Sequence, residues 1–217
     1  EEEGNKRAAE INANGGKALF IKGNVLDEKD MEKVRDITLE QFGRIDGLVN
    51  GAGGNMPQGV IQPDQDVFDM NIDGLRQVLD LNLMGTIIPT KIIGSAMAKQ
   101  NGGSIVNISS ILGMVASQNS PAYVAAKHAV VGLTKSAAVE YATKKIRINS
   151  IGPGYIDTPL LTNTLDQETI DAVANLHPMG RLGQASEVAE LALFLNSNKA
   201  SFITGAYYNV DGGYLAQ

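Results

Sequence analysis

The sequence contains no cysteine and no tryptophan, and only two histidines. Disulfides, thiolate metal sites and a cysteine nucleophile are excluded, and with two histidines a zinc site is disfavoured. The same absence fits an intracellular, cytoplasmic protein. No apolar run approaches the length of about 20 residues that a membrane-spanning helix needs, and the acidic opening EEEGNKRAAE is unlike a secretory signal. The net charge is −6, without the clustered Lys and Arg that phosphate neutralisation requires, so no nucleic-acid partner is expected. Asn107 opens an Asn-Ile-Ser sequon, but it falls in a run that reads as a buried strand, so the match is taken as chance.

What is present is ordinary globular material: 217 residues, 43% hydrophobic and 19% charged, enough for one domain over 1–217 with a substantial core. Short β-rich runs alternate with longer helical ones, which predicts an α/β fold: a doubly wound parallel sheet with helices on both faces. Strands are expected at 17–23, 45–50, 103–110, 146–152 and 206–211. Helices are expected at 28–42, capped by Asp27 and ended by Gly43; at 74–99, bent by Pro89 against the Gly85 carbonyl; at 122–144; and at 186–196, capped by Ser186.

The stretch IDGLVNGAGGNMP places Gly47, Gly51 and Gly53 in a G-x-x-x-G-x-G pattern close to a dinucleotide-binding turn. Such a turn works only where a helix N-terminus follows to face the phosphates. Here Pro57, Gly59 and Pro63 break any helix, so the phosphate reading is rejected and the strand kept. The doubly wound pattern should open with a strand, a glycine turn and a helix, yet no such unit precedes residue 17. Either the unit lies upstream of residue 1, or a dinucleotide is held in another way.

The strongest chemical signal is SSILGMVASQNSPAYVAAKHAV. Tyr123 and Lys127 stand four apart on one predicted helix and share a face. A phenol with a pKa near 10 is a poor acid or base at neutral pH, and an adjacent ammonium favours its ionised form. Tyr141 and Lys145 repeat the spacing, so spacing alone decides nothing. Position does, because in a parallel sheet the N-terminal end of the helix lies beside the carboxyl ends of the strands, where ligands bind. Tyr123 is at that end, and Tyr141 is roughly 27 Å further along, with Lys145 expected as a solvated partner. Ser110, at the end of the preceding strand, is placed to hydrogen-bond the oxygen that Tyr123 would protonate.

Taken in order, NGAG after a strand, LNLMGT, IVNISS, Tyr123 and Lys127 thirteen residues after Ser110, INSIGPGYIDTP and SFITGAYYNVDGGY resemble the short-chain dehydrogenase/reductase family over essentially the whole chain. The resemblance implies that Tyr123 is the general acid/base, that Ser110 polarises the carbonyl, and that Lys127 lowers the phenol pKa while holding the nicotinamide ribose. Asn82 would complete a proton relay through water; the alternative is a satisfied buried amide with no catalytic part. Ser109 is the rival for the serine role, and the thirteen-residue offset selects Ser110. The resemblance further implies adenine-side contacts from Asn24 and Val25. The Asn50, Gly51 and Ala52 backbone would pass close to the adenine ribose. Pro153, Gly154, Ile156 and Thr158 would lie around the nicotinamide. Gly51 replaces a second asparagine of the family pattern, leaving that residue's bracing role unassigned.

By the same resemblance the protein is an NAD(P)-dependent oxidoreductase acting on a secondary alcohol or ketone, with about 155–185 forming a substrate lid and Thr162, Asn163 and Thr164 in it. NAD is favoured over NADP by family frequency alone. GAGGNMP, DVFDMN and DLNLMGT point to a sugar acid of the mannonate/fructuronate or gluconate type; a polyol or a 3-oxoacyl-carrier-protein substrate is the alternative. The small residues Ala125, Ala126, Ala129, Gly132, Ala137 and Ala138 suit close packing on the sheet. The family reading adds pairing of this helix and the one before it with another subunit, in a homotetramer or homodimer. His128 and His177 are read as structural or surface residues. A reading of another class is a non-catalytic relative that keeps the fold for binding or assembly. No metal is expected.

Overall fold

The computed structural model describes residues 1–217. In chain order it forms α1 (Glu2–Ala13), α2 (Glu28–Phe42), β1 (Gly47–Asn50), α3 (Ile72–Leu79), α4 (Gly85–Lys99), β2 (Gly103–Ile108), α5 (Pro121–Tyr141), β3 (Ile146–Pro153), β4 (Ile156–Asp157), α6 (Pro159–Thr162), α7 (Gln167–Asn175), β5 (Gly183–Gln184), α8 (Ala185–Asn196) and β6 (Tyr207–Val210). Strands β1, β2, β3 and β6 form one parallel sheet in that order, and β4 and β5 form a separate two-stranded pair.

Alternation along the central strands divides the core into two layers. Ile105, Ile146 and Ile148 face one side, packed with Ile88, Ile92 and Met97 of α4 and Ala138 of α5. Val106 and Ile151 face the other, against Leu195 of α8 and Ala200. Helices thus cover both faces, the α/β arrangement that the pattern predicts. The α2 ends also follow the sequence: the Asp27 carboxylate accepts from the Lys29 amide at 2.8 Å, and Gly43 closes the helix at φ 79, a left-handed position that favours glycine.

Several expectations are corrected. Residues 17–23 form no strand. A strand exists only with a ladder partner, and the one edge of β1 that is hydrogen-bonded is held by β2; Phe20 lies instead against Gly4 of α1. The helix expected at 74–99 begins at Ile72 and is interrupted by a π-helical turn at Asp80–Met84. The irregularity therefore precedes Pro89, and it brings Asn82 inward. The strand expected to reach residue 110 stops at Ile108, leaving Ser109 and Ser110 beyond the ladder. The helix expected at 122–144 runs from Pro121 to Tyr141 and ends in a 3-10 turn, Ala142–Lys144. Helix α8 starts one residue before Ser186, and Glu187 caps it by accepting from the Gln184 amide at 2.7 Å. Helix α7 went unread, although Asp166 with Thr169 three residues on is a usable start signal; its carboxylate accepts from the Thr169 amide at 2.8 Å.

Candidate active site

The carboxyl ends of β2 and β3, the N-terminal half of α5 and the segment from Tyr155 to Leu161 border a cleft of about 360 Å³. Ser110, Tyr123 and Lys127 line it together with Gly51, Pro153, Gly154, Ile156 and Thr158. These residues come from four separate stretches of chain, and the parallel sheet delivers them all to one rim.

The Tyr123 phenol and the Ser110 side chain line the same cleft, close enough for Ser110 to act on the phenol's ionisation. Burial raises the phenol above its ordinary value, and the Ser110 contact opposes that shift. Lys127 is buried, its Nζ donating to the Ile108 carbonyl at 3.0 Å and lying 5.4 Å from the Tyr123 ring centroid. Desolvation lowers the ammonium to about 8. Lys127 is therefore a desolvated donor beside the tyrosine, charged at neutral pH, with one of its three N–H groups occupied. The two serines separate cleanly. Ser109 Oγ donates to the Lys127 backbone carbonyl at 3.1 Å, tying the strand end to α5. Ser110 Oγ accepts from the Leu112 amide at 3.1 Å, while its own carbonyl receives the Tyr207 hydroxyl at 2.8 Å; its hydroxyl is left facing Tyr123.

Asn82 is fully buried in the π turn. Its amide donates to the carbonyls of Gly54 at 2.7 Å and Val78 at 2.9 Å, and its Oδ1 accepts from the Gly54 amide at 2.9 Å. It thus clamps the glycine loop against the site. Gly53 is required there, because a Cβ would come within 2.6 Å of Asn82 Oδ1 and 3.2 Å of Lys127 Nζ.

Asn50 supplies the bracing that the Gly51 replacement seemed to remove. Its amide donates to the Asn107 side chain at 2.8 Å and to Thr90 at 2.9 Å, and Asn107 donates to Thr134 at 2.9 Å. This buried network joins β1, β2, α4 and α5 directly beneath the rim. Asn24, Val25, Asn50 and Ala52 are not among the residues lining the cleft. Asn24 is exposed, accepting from the Leu26 amide at 3.0 Å, and Val25 packs on the core. The lining also includes Gly53, Gly54, Tyr155, Leu160 and Leu161, which the sequence reading did not select. Tyr155 stands between two residues that it did select, and that adjacency was the available signal.

The second tyrosine–lysine pair lies away from this cleft, and its two residues share no environment. Tyr141 packs on the core, and the cation above its ring is Lys144, at 4.7 Å from the centroid, in place of the expected Lys145. Lys145 adopts φ 58 as the residue that ends the helical run.

A family model described as enoyl-(acyl carrier protein) reductase matches residues 1–215. Cyclohexanol dehydrogenase from Acinetobacter sp. (strain SE19) is 42% identical over 208 residues, 96% of this chain and 79% of the relative. The structure of a candidate D-mannonate oxidoreductase from Haemophilus influenza with bound NAD superposes with a TM-score of 0.86 at 34% identity, covering 97% of this chain and 81% of that one. ElxO with NADP bound superposes with a TM-score of 0.87 at 35% identity, covering 99% of this chain and 86% of that one. With its parallel sheet and the cleft shared by Ser110, Tyr123 and Lys127, the chain belongs to the short-chain dehydrogenase/reductase family and is an enzyme of the dehydrogenase/reductase type.

Proposed function

We propose that the protein moves a hydride between a nicotinamide cofactor and a compact secondary alcohol or ketone, with Tyr123 exchanging the proton at the substrate oxygen. The observation that carries this reading is the convergence of Ser110, Tyr123 and a buried Lys127 on one cleft. The residues present suit a nicotinamide nucleotide. Lys127 has N–H groups to spare for ribose hydroxyls, and a Cβ built on Gly51 or Gly54 meets nothing within 4 Å, so the loop leaves room for a ligand. Pro153, Gly154, Ile156 and Thr158 would hold the nicotinamide end, with Asn24, Val25, Asn50, Gly51 and Ala52 on the adenine side. Bound nicotinamide supplies or accepts the hydride.

The chain's own part is proton handling and orientation. Ser110 Oγ hydrogen-bonds the reacting oxygen and fixes its distance from the phenol. Tyr123 donates its proton as a ketone is reduced and takes one as an alcohol is oxidised. A phenol raised by burial keeps its proton at neutral pH, the state needed for reduction; charged Lys127 beside it favours the phenolate needed for oxidation. Asn82 holds the Gly53–Gly54 loop beside Lys127 and is proposed to support proton relay from that side.

Tyr155, Ile156, Leu160 and Leu161 make the substrate side of the cleft apolar, and Lys127 is the only cation lining it. That favours a small neutral ring or chain, in keeping with the cyclohexanol dehydrogenase relative. A sugar acid is the second reading, favoured by the D-mannonate oxidoreductase likeness; its carboxylate would have to share Lys127. The test is a panel of cyclic alcohols, sugar acids, polyols and a 3-oxoacyl thioester, assayed with NAD and NADP by nicotinamide absorbance. Highest kcat/KM on cyclic alcohols supports the apolar reading, and highest kcat/KM on mannonate or gluconate overturns it. No turnover on any member overturns the oxidoreductase assignment of the site. We favour NAD as the cofactor, a cytoplasmic location and a homodimer or homotetramer. Val139 of α5 is 81% exposed and Leu193 of α8 is 67% exposed, apolar surface that a second copy would cover. Light scattering checks the oligomer.

A further inference from the structure

His177 is a buried titratable side chain to which the proposed reaction gives no task. His177 is 3% exposed and stands just after α7, between the lid and the turn Pro153–Gly154–Tyr155. Its Nε2 accepts from the Tyr155 backbone amide at 3.1 Å. An amide N–H can only donate, so Nε2 must carry a lone pair and the ring proton resides on Nδ1. That nitrogen faces the Ala174 carbonyl of α7 at 3.2 Å. The ring is therefore a neutral bridge with its tautomer set by its two neighbours.

Packing holds the bridge in place. Tyr155 and Tyr214 contact the ring with centroid separations of 5.8 and 5.9 Å. A Cβ on Gly154 would come within 2.6 Å of Nε2 and 3.1 Å of the Asp211 Cα, so only glycine lets the turn sit between the histidine and the end of β6. The charged neighbours are otherwise engaged. Asp211 accepts from the Gly213 and Leu215 amides, and Arg181 pairs with Glu187.

We infer that His177 is a positioning residue for the nicotinamide side of the site. By accepting from the Tyr155 amide while bonded to α7, it fixes the Pro153–Gly154 turn that lines the cleft with Tyr123 and Lys127, and couples that turn to the lid. This rests on the functional reading above.

The test compares His177→Gln with His177→Asn in the full-length protein. Glutamine carries an acceptor to the Nε2 position and keeps the Tyr155 bond; asparagine reaches only the Nδ1 position and loses it. Without cofactor, the Tyr155 amide should exchange hydrogen about tenfold faster in the Asn variant than in the Gln variant, one lost hydrogen bond being worth about that factor. In calorimetric titration, the Kd for NADH or NADPH, whichever the wild type binds, should rise about tenfold in the Asn variant and less than about threefold in the Gln variant. ADP-ribose, which lacks the nicotinamide ring, should bind all three proteins alike. Equal behaviour of the two variants, or ADP-ribose weakened as much as the dinucleotide, overturns this inference alone. Failure of the wild type to bind either nicotinamide overturns the functional reading, and this inference with it.

Discussion

Helix α5 carries two tyrosines, each followed four residues later by a lysine, and its two ends share a sequence pattern but not an environment. At the N-terminal end Tyr123 meets Ser110 and a buried Lys127 at the mouth of a cleft. At the other, Tyr141 lies against the core with Lys144 above its ring, and Lys145 turns away to end the helix. One helical turn of spacing puts Tyr123 and Lys127 on one face, whereas the helix ends at Tyr141 before it can do the same for Lys145. Reactivity needs two further things: a strand terminus that brings a hydroxyl to the phenol, and desolvation of the amine. The parallel sheet provides both at its carboxyl rim only.

The comparison breaks most sharply if the two tyrosines are exchanged for phenylalanine. Tyr123→Phe should lower kcat by about 10³-fold, while Tyr141→Phe stays within about twofold of wild type, as measured by steady-state nicotinamide absorbance. Comparable losses from both would mean that position along the helix does not select the acid. Next in size, Ser110→Ala should cost about 10²-fold in kcat. Ser109→Ala, which removes a structural bond to the Lys127 carbonyl, should instead lower stability by about 1 kcal/mol. Urea unfolding alongside kinetics separates the two.

Lys127→Met should nearly abolish turnover yet stabilise the chain by about 2 kcal/mol at pH 7. In the unfolded chain the amine holds its proton up to 10.5, whereas burial releases it at about 8 in the folded one. The unfolded state thus binds more protons between these values, so wild-type stability rises with pH across that window. The methionine variant lacks this slope, and its advantage should shrink between pH 8 and pH 10.5. Urea midpoints at pH 7 and pH 10 check the sign. The smallest effects belong to the far end of the helix. Lys144→Ala removes a surface cation–π contact and should cost about 0.5 kcal/mol, and Lys145→Gly, relieving φ 58, should add about 0.5 kcal/mol, both without change in kcat.

Much of this site was legible beforehand because its signals are local. Tyr123 with Lys127 stands out by helical spacing together with its place at the binding end of the helix, and Ser110 by its place after an apolar strand and its offset from Tyr123. The elements misjudged were those whose fate depends on a distant partner. Residues 17–23 have strand composition but no ladder. The irregularity in the long helix is a π-helical turn at Asp80–Met84, ahead of Pro89, where the Asn82 side chain bonds the Gly54 loop. The role that Gly51 seemed to vacate is filled by Asn50 through Asn107 and Thr134, residues 57 and 27 positions apart along these links. His177 gave no signal at all, since its meaning lies in a bond to the Tyr155 amide 22 residues away.

By itself, then, the sequence determined the alternation of strand and helix, the exclusion of thiol chemistry, and a short set of candidates for proton handling: two tyrosine–lysine pairs and two adjacent serines. Each of these follows from residue type and short-range spacing. Only the tertiary structure decided which of two tyrosines faces this cleft, which of two adjacent serines has its hydroxyl free of the Lys127 carbonyl, and how a buried histidine ties the Tyr155 amide to α7. Those outcomes depend on desolvation and hydrogen bonds between segments far apart in the chain, and such contacts exist only once the sheet has brought the segments together.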